Sequence, residues 1–190
     1  MAPGSDVVVE RILAAAEAEF ERVGLRRASM GRVAQVAEIG RATLYRRFPD
    51  KAALVDAVLQ RHLTTSLARL ETLMAAIPDP RERLVEGFAE TIELIREDRL
   101  LQRLLETEPE TVLPIATTQG AVGIALARDF LADQLRRSGL DASGHLDEAA
   151  EIAVRLVHSL MLTPSDRLGT DRQASRDLAR RLLLPALLPR

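Results

Sequence analysis

Apolar residues recur along this chain three and four apart, the spacing of helix faces, and nowhere alternate as strands require. Val8 or Val9, Ile12, Leu13, Ala16 and Phe20 mark one face of a first helix, capped by Ser5 or Asp6 and stopped by Gly24. A short link, Leu25 to Ala28, leads to Ser29, the cap of a second helix with Val33, Ala34 and Ala37 facing inward. Glu38-Ile39-Gly40 predicts a turn with Ile39 as an apolar plug. A third helix follows from about Arg41 to Phe48, where Leu44 and Phe48 share the inner face. Pro49-Asp50 ends it and caps a long helix from Lys51 to about Ile77. The inner side of that helix is Leu54, Val55, Val58, Leu59, Leu63, Leu67, Leu70 and Met74.

Pro78-Asp79-Pro80 breaks the pattern, and a second all-helical region begins. The spacing predicts helices over 81–99 and 100–106, then an irregular stretch around Pro109 and Pro114. A helix over 117–138 contains Gly120 and Gly123, each costing about 1 kcal/mol against Ala. They serve either close helix packing or space for a ligand beside the backbone. The last two helices span 145–163 and 171–188. Ala149, Ile152, Ala153, Leu156, Val157, Leu160 and Met161 form the apolar stripe of the first. Leu178, Leu182, Leu183 and Leu187 form that of the second, opposite Arg172, Arg176, Arg180 and Arg181. The fold class is all-α.

Composition supports this pattern. Leu and Ala dominate the apolar set, aromatic residues are only 3%, and both dominant types are good helix formers. Cysteine is absent, which excludes a disulfide framework and thiolate metal sites. No apolar run reaches the ~18 residues of a membrane span, and MAPGSDVVVE lacks the features of a signal peptide. A soluble cytoplasmic protein without membrane contact is expected.

Charge changes the picture more. Between Arg22 and Lys51 stand eight cations, Arg22, Arg26, Arg27, Arg32, Arg41, Arg46, Arg47 and Lys51, against two acids, Glu38 and Asp50. This local excess sits in a chain of formal net charge −2, so a phosphate backbone is the natural partner for the segment. The alternatives are a solvated polar face, or a basic patch through which a helical dimer docks an acidic protein.

The run Ala42-Thr43-Leu44-Tyr45-Arg46-Arg47-Phe48, followed by Asp50-Lys51-Ala52-Ala53-Leu54 and preceded by Phe20, Gly24 and Ser29 to Ala37, resembles the TetR family of bacterial transcription regulators. The match covers about the first third of the chain. One departure stands out: the family usually has glycine in the turn where this chain has Glu38. Either the turn is shifted, or Glu38 takes a left-handed backbone at about 1 kcal/mol.

The resemblance implies an N-terminal helix-turn-helix DNA-binding domain over 1–50 and a helical ligand-binding and dimerisation domain over 51–190. It implies a homodimer, joined through helices 145–163 and 171–188, on a near-palindromic operator in double-stranded DNA. A small, apolar effector would release it, most simply relieving repression. Arg41, Ala42 and Thr43 would enter the major groove, Arg41 toward guanine and Ala42 or Thr43 toward a thymine methyl. Tyr45 and Arg47 match phosphate-holding positions, Arg46 reaches base or backbone, and Lys51 joins its helix N-terminus at a phosphate. Ser29 and Arg32 complete the DNA-binding set.

Phe88, Ile92, Leu104, Phe130 and Met161 either wall an effector cavity or are plain core. His158 either anchors a polar group of the effector or is a structural histidine. Glu106, Glu108 and Glu110 lie in a solvated loop, line a pocket or hold a metal. No nucleophile elbow, phosphate loop or two-histidine metal motif is present, so neither enzyme nor cofactor is expected.

Overall fold

The computed structural model describes residues 3–139 and 145–187, with side chains from residue 7 onward. The predicted caps Ser5 and Asp6 and the terminal Leu188 of the last predicted helix lie outside the described side chains or residues. All described regular structure is helical: α1 (Pro3–Arg27), α2 (Met30–Val36), α3 (Arg41–Arg47), α4 (Lys51–Ala75), α5 (Pro80–Glu97), α6 (Arg99–Thr107), α7 (Pro109–Ala116), α8 (Ala121–Arg137), α9 (Leu146–Leu162), α10 (Arg172–Leu178) and α11 (Leu184–Leu187). A π-helical turn, Ala179–Leu183, joins the last two.

The predicted caps at Ser29 and Asp50 form, and Asp79, read only as part of a breaker, caps as well. Ser29 Oγ accepts from the Arg32 amide at 3.2 Å, Asp50 from Ala53 at 2.8 Å and Asp79 from Arg81 at 2.8 Å. Each satisfies a helix N–H that has no partner within its own helix.

The chain divides into two compact units, and the division does not fall at residue 50. The first unit runs to Thr64 and takes back Arg99–Gln119; the second is Thr65–Asp98 with the chain from Gly120 on. The reason is hydrophobic. Leu100, Leu104 and Val112 of α6 and α7 are buried with Ile12, Phe20, Leu25, Val33, Leu44, Leu54 and Val58 in one core. The segment 99–119 therefore completes the helix-turn-helix unit.

In that unit α1 runs to Arg27 instead of stopping at Gly24. Gly24 breaks the helical path at φ 80°, ψ 167°, and one more turn follows. Buried Glu108 supports that turn, accepting from the Arg26 amide at 2.7 Å. A methyl group on Gly24 would collide with the same carboxylate, so this position requires glycine twice over. The stretch expected to be irregular is helix α7. Pro109 sits at its first turn, where the missing N–H costs nothing. Arg61 pins α4 to α1 through Glu10 at 2.8 Å and Glu17 at 2.6 Å.

The second unit packs α5, α8, α9 and the C-terminal helices around Leu84, Val85, Phe88, Leu135, Ala150, Leu178 and Leu183. Helix α8 begins at Ala121, so Gly120 flanks it and only Gly123 carries the interior cost. Two residues of the predicted apolar stripes are exposed: Ile152 at 68% and Leu182 at 58%.

Candidate nucleic-acid interface and apolar cavity

Helix α3 has two chemically distinct sides. Leu44 and Phe48 are buried at 0% and 9% exposure, while Arg41, Ala42, Tyr45, Arg46 and Arg47 are exposed and Thr43 is half-buried. Two apolar anchors on one side thus fix a cationic edge on the other. Arg27, Arg41, Arg46 and Arg47 form no ion pair with any described residue, so their charge stays available. Arg41 has a seat of its own: a methyl group on Gly31 would stand 2.8 Å from its Nη2, so the guanidinium lies across α2 where that helix has no side chain.

The other cations are more committed. Arg22 donates to both oxygens of buried Glu19, at 3.0 Å and 2.8 Å. Arg26 pairs with Glu110 at 3.4 Å, and Arg32 donates to Gln35 at 2.8 Å. Lys51 keeps its charge but gives a hydrogen bond to the Arg26 carbonyl at 3.2 Å, tying the start of α4 to the end of α1. The positive field therefore concentrates on α3 and Arg27. Its narrowing was invisible locally, because Glu19 and Glu110 lie outside the Arg22–Lys51 span.

The turn is where the sequence left two options, and Glu38 takes the left-handed one at φ 52°. Among the described residues it is the sole non-glycine with positive φ. Arg11 of α1 braces it, donating from Nη2 to the Ala37 carbonyl at 2.6 Å and standing 3.5 Å from the Glu38 carboxylate.

In the second unit a cavity of about 120 Å³ opens between α4, α5, α8, α9 and the C-terminal helices. Phe88 and Phe130 are on its wall with Met74, Gly87, Val157 and Leu183, and Thr91 supplies the hydroxyl. The other sequence candidates are not on the wall. Ile92 is buried in the neighbouring core, and His158 and Met161 are half-buried on α9. Leu104 belongs to the core of the first unit, because α6 packs there. No group of three His, Asp or Glu among the described residues is arranged to hold a metal. Glu108 in particular is a buried helix support, not a solvated loop residue.

One side of this unit is held by a charge ladder that crosses between helices. Glu82, Glu86 and Glu90, four apart on α5, meet Arg180, Arg176 and Arg172, four apart on the C-terminal helix. Arg172 reaches Glu90 at 2.7 Å, Arg176 reaches Glu86 at 2.6 Å and Arg180 reaches Glu82 at 2.9 Å. The Arg176 guanidinium, and then Arg172, hold the Glu86 carboxyl below the ordinary carboxylate range, against burial, which pushes it up. Arg172, Arg176 and Arg180, opposite the leucine stripe, are therefore structural. No helix among the described residues is long and apolar enough to cross a membrane.

Known proteins match the chain across both units. A family described as bacterial regulatory proteins, tetR family, matches residues 12–58, and a bacterial tetracyclin repressor C-terminal domain matches residues 79–184. An uncharacterised HTH-type transcriptional regulator of Mycobacterium tuberculosis is 26% identical over 97% of this chain and 88% of its own length. The HTH-type transcriptional activator FasR of Mycolicibacterium smegmatis is 29% identical over 89% of this chain and 76% of its own. The crystal structure of the TetR family repressor AlkX from a Dietzia strain, implicated in biodegradation of n-alkanes, shares the fold at TM-score 0.74 and 22% identity. It covers 93% of this chain and 95% of the AlkX chain. The exposed cationic edge of α3, the helix-turn-helix beneath it and the two domain matches agree: this chain belongs to the TetR family of transcriptional regulators, a DNA-binding and non-enzymatic family.

Proposed function

We propose that the protein is a ligand-responsive repressor that binds a near-palindromic operator as a homodimer and is released by a small apolar effector. The observation that carries the DNA half is the two-sided α3 helix, with Leu44 and Phe48 buried and Arg41, Arg46 and Arg47 exposed and without an acidic partner among the described residues. Arg41, Ala42 and Thr43 read base edges, while Tyr45, Arg46, Arg47, Lys51, Arg32 and Ser29 hold the backbone. Two such helices are presented about one DNA turn apart, roughly 34–36 Å.

Exposed Ile152 on α9 and Leu182 in the π turn support the dimer, since a second copy is what would remove them from water. The apolar cavity supports an effector site. Helix α4 starts three residues after Phe48 and supplies Leu67, Leu70 and Met74 to the cavity wall. An effector preferring one placement of α4 would bias the recognition helices by that preference and no more.

The test selects duplexes from a randomised pool and measures affinity against salt. A palindromic site should be enriched. Arg47→Ala should weaken binding to every duplex and flatten the salt slope by about one. No enriched site, or an unchanged slope, overturns the assignment.

A further inference from the structure

We infer that the cavity selects an uncharged, ring-sized molecule bearing a single hydroxyl, and that Thr91 is the residue that recognises the hydroxyl. This rests on reading the cavity as the effector site, and it adds the chemistry of the occupant.

Size sets the first limit. About 120 Å³ is slightly less than the ~150 Å³ apolar void that holds one benzene. A ring, or a chain of similar bulk, fills it.

Charge sets the second. Among the described residues the wall is built from Leu, Met, Phe, Ala, Val and Gly, with Thr91 as the one polar side chain. The nearby ionic groups of α5 are already engaged: Glu90 holds Arg69 and Arg172, and Glu86 holds Arg172 and Arg176. A carboxylate or ammonium in the cavity meets no opposite charge, so it stays in water.

Polarity sets the third. Thr91 Oγ1 donates its proton to the Gly87 carbonyl at 2.7 Å. Its remaining capacity on the cavity side is as an acceptor. A group that brings a proton, such as an alcohol or phenol, satisfies that acceptor, whereas an ether or a ketone does not.

Gly87 provides the control for location. A methyl group there would lie 2.8 Å from Met74 Sδ and 3.0 Å from its Cε. Gly87→Ala therefore pushes the flexible methionine end into the space.

The probes are toluene and phenol, equal in heavy atoms, and benzoate, titrated calorimetrically into the intact protein and into Thr91→Val and Gly87→Ala. Toluene and phenol should bind the native chain, and benzoate should bind at least a hundredfold more weakly. Thr91→Val, nearly isosteric, should weaken phenol about two- to tenfold, the worth of one neutral hydrogen bond, and leave toluene unchanged. Gly87→Ala should weaken both. If both probes bind and Thr91→Val leaves phenol as tight as before, the hydroxyl assignment is overturned while the effector reading stands. Benzoate binding as tightly as phenol overturns the charge argument. If neither toluene nor phenol binds, or Gly87→Ala affects neither, the cavity is not the ligand site and the effector reading fails with it. Thermal unfolding of both variants separates a lost site from a lost fold.

Discussion

Glu38 stores backbone strain in the turn that aims the recognition helix, and replacing it should release that strain. At φ 52° the Cβ of an L-residue crowds its own carbonyl, costing about 1–2 kcal/mol, and glycine escapes this cost. Glycine also adds freedom to the unfolded chain, worth about 0.4–1 kcal/mol in the other direction. The carboxylate contributes little: it stands 3.5 Å from Arg11 with 85% of its side chain exposed, at the low end of the ~0–1 kcal/mol of surface pairs.

Comparing Glu38→Gly with Glu38→Ala cancels the carboxylate and isolates the backbone. The glycine variant should be more stable than the alanine variant by about 0.5–1 kcal/mol, after subtracting the glycine entropy. For a chain this long that is about 1–4 °C in Tm. Urea unfolding reads it as a shift in midpoint at constant slope. Operator affinity should be equal in the two variants, since both keep the same turn. Equal stability, or a more stable alanine variant, would show that the turn is not strained at Glu38 and that Arg11 braces nothing costly.

Three further outcomes follow from the same geometry. Gly24→Ala should destabilise by about 3 kcal/mol, combining a φ of 80° with eviction of the Glu108 carboxylate from the Arg26 amide; Gly40→Ala, with φ −69° and open space around it, should lie within about 0.5 kcal/mol of native. The Glu86 carboxyl is depressed in the folded state, so its ladder contributes stability above the ordinary carboxylate range and loses it as pH falls through the folded value; Glu86→Gln should flatten the decline of Tm as pH falls below about 4.3, the ordinary Glu value, and an identical decline there refutes the pairing. Leu182→Glu should give monomers by sedimentation with little operator affinity, while dimers of native affinity would place the seam elsewhere.

Local chemistry carried most of what was legible in the sequence. Ser29 and Asp50 cap because an acceptor side chain stands three residues before an unpartnered amide. Leu44 and Phe48 face inward because four residues nearly complete a helical turn, so the exposed edge of α3 was readable without any partner. Gly24 marked a break, yet the turn after it depends on Glu108, far along the chain. Residues 107–116 look irregular in the sequence because proline breaks a helix interior. At the first turn of a helix it is an initiator.

What stayed hidden depends on which elements pack together. Glu82, Glu86 and Glu90 are visible as an acidic row, and Arg172, Arg176 and Arg180 as a basic row, each at four-residue spacing. Either row alone reads as a solvated face. Set antiparallel, the rows meet rung by rung in reverse order, Glu82 with Arg180 and Glu90 with Arg172. The same logic explains the effector candidates. Phe88 and Phe130 reached the cavity and Leu104 did not. All three are apolar residues on amphipathic helices, and nothing in their spacing tells a core from a cavity wall. The difference lies in whether the facing positions fill the volume. At Gly87, beside Met74 and Thr91, they leave a space that only the assembled helices define.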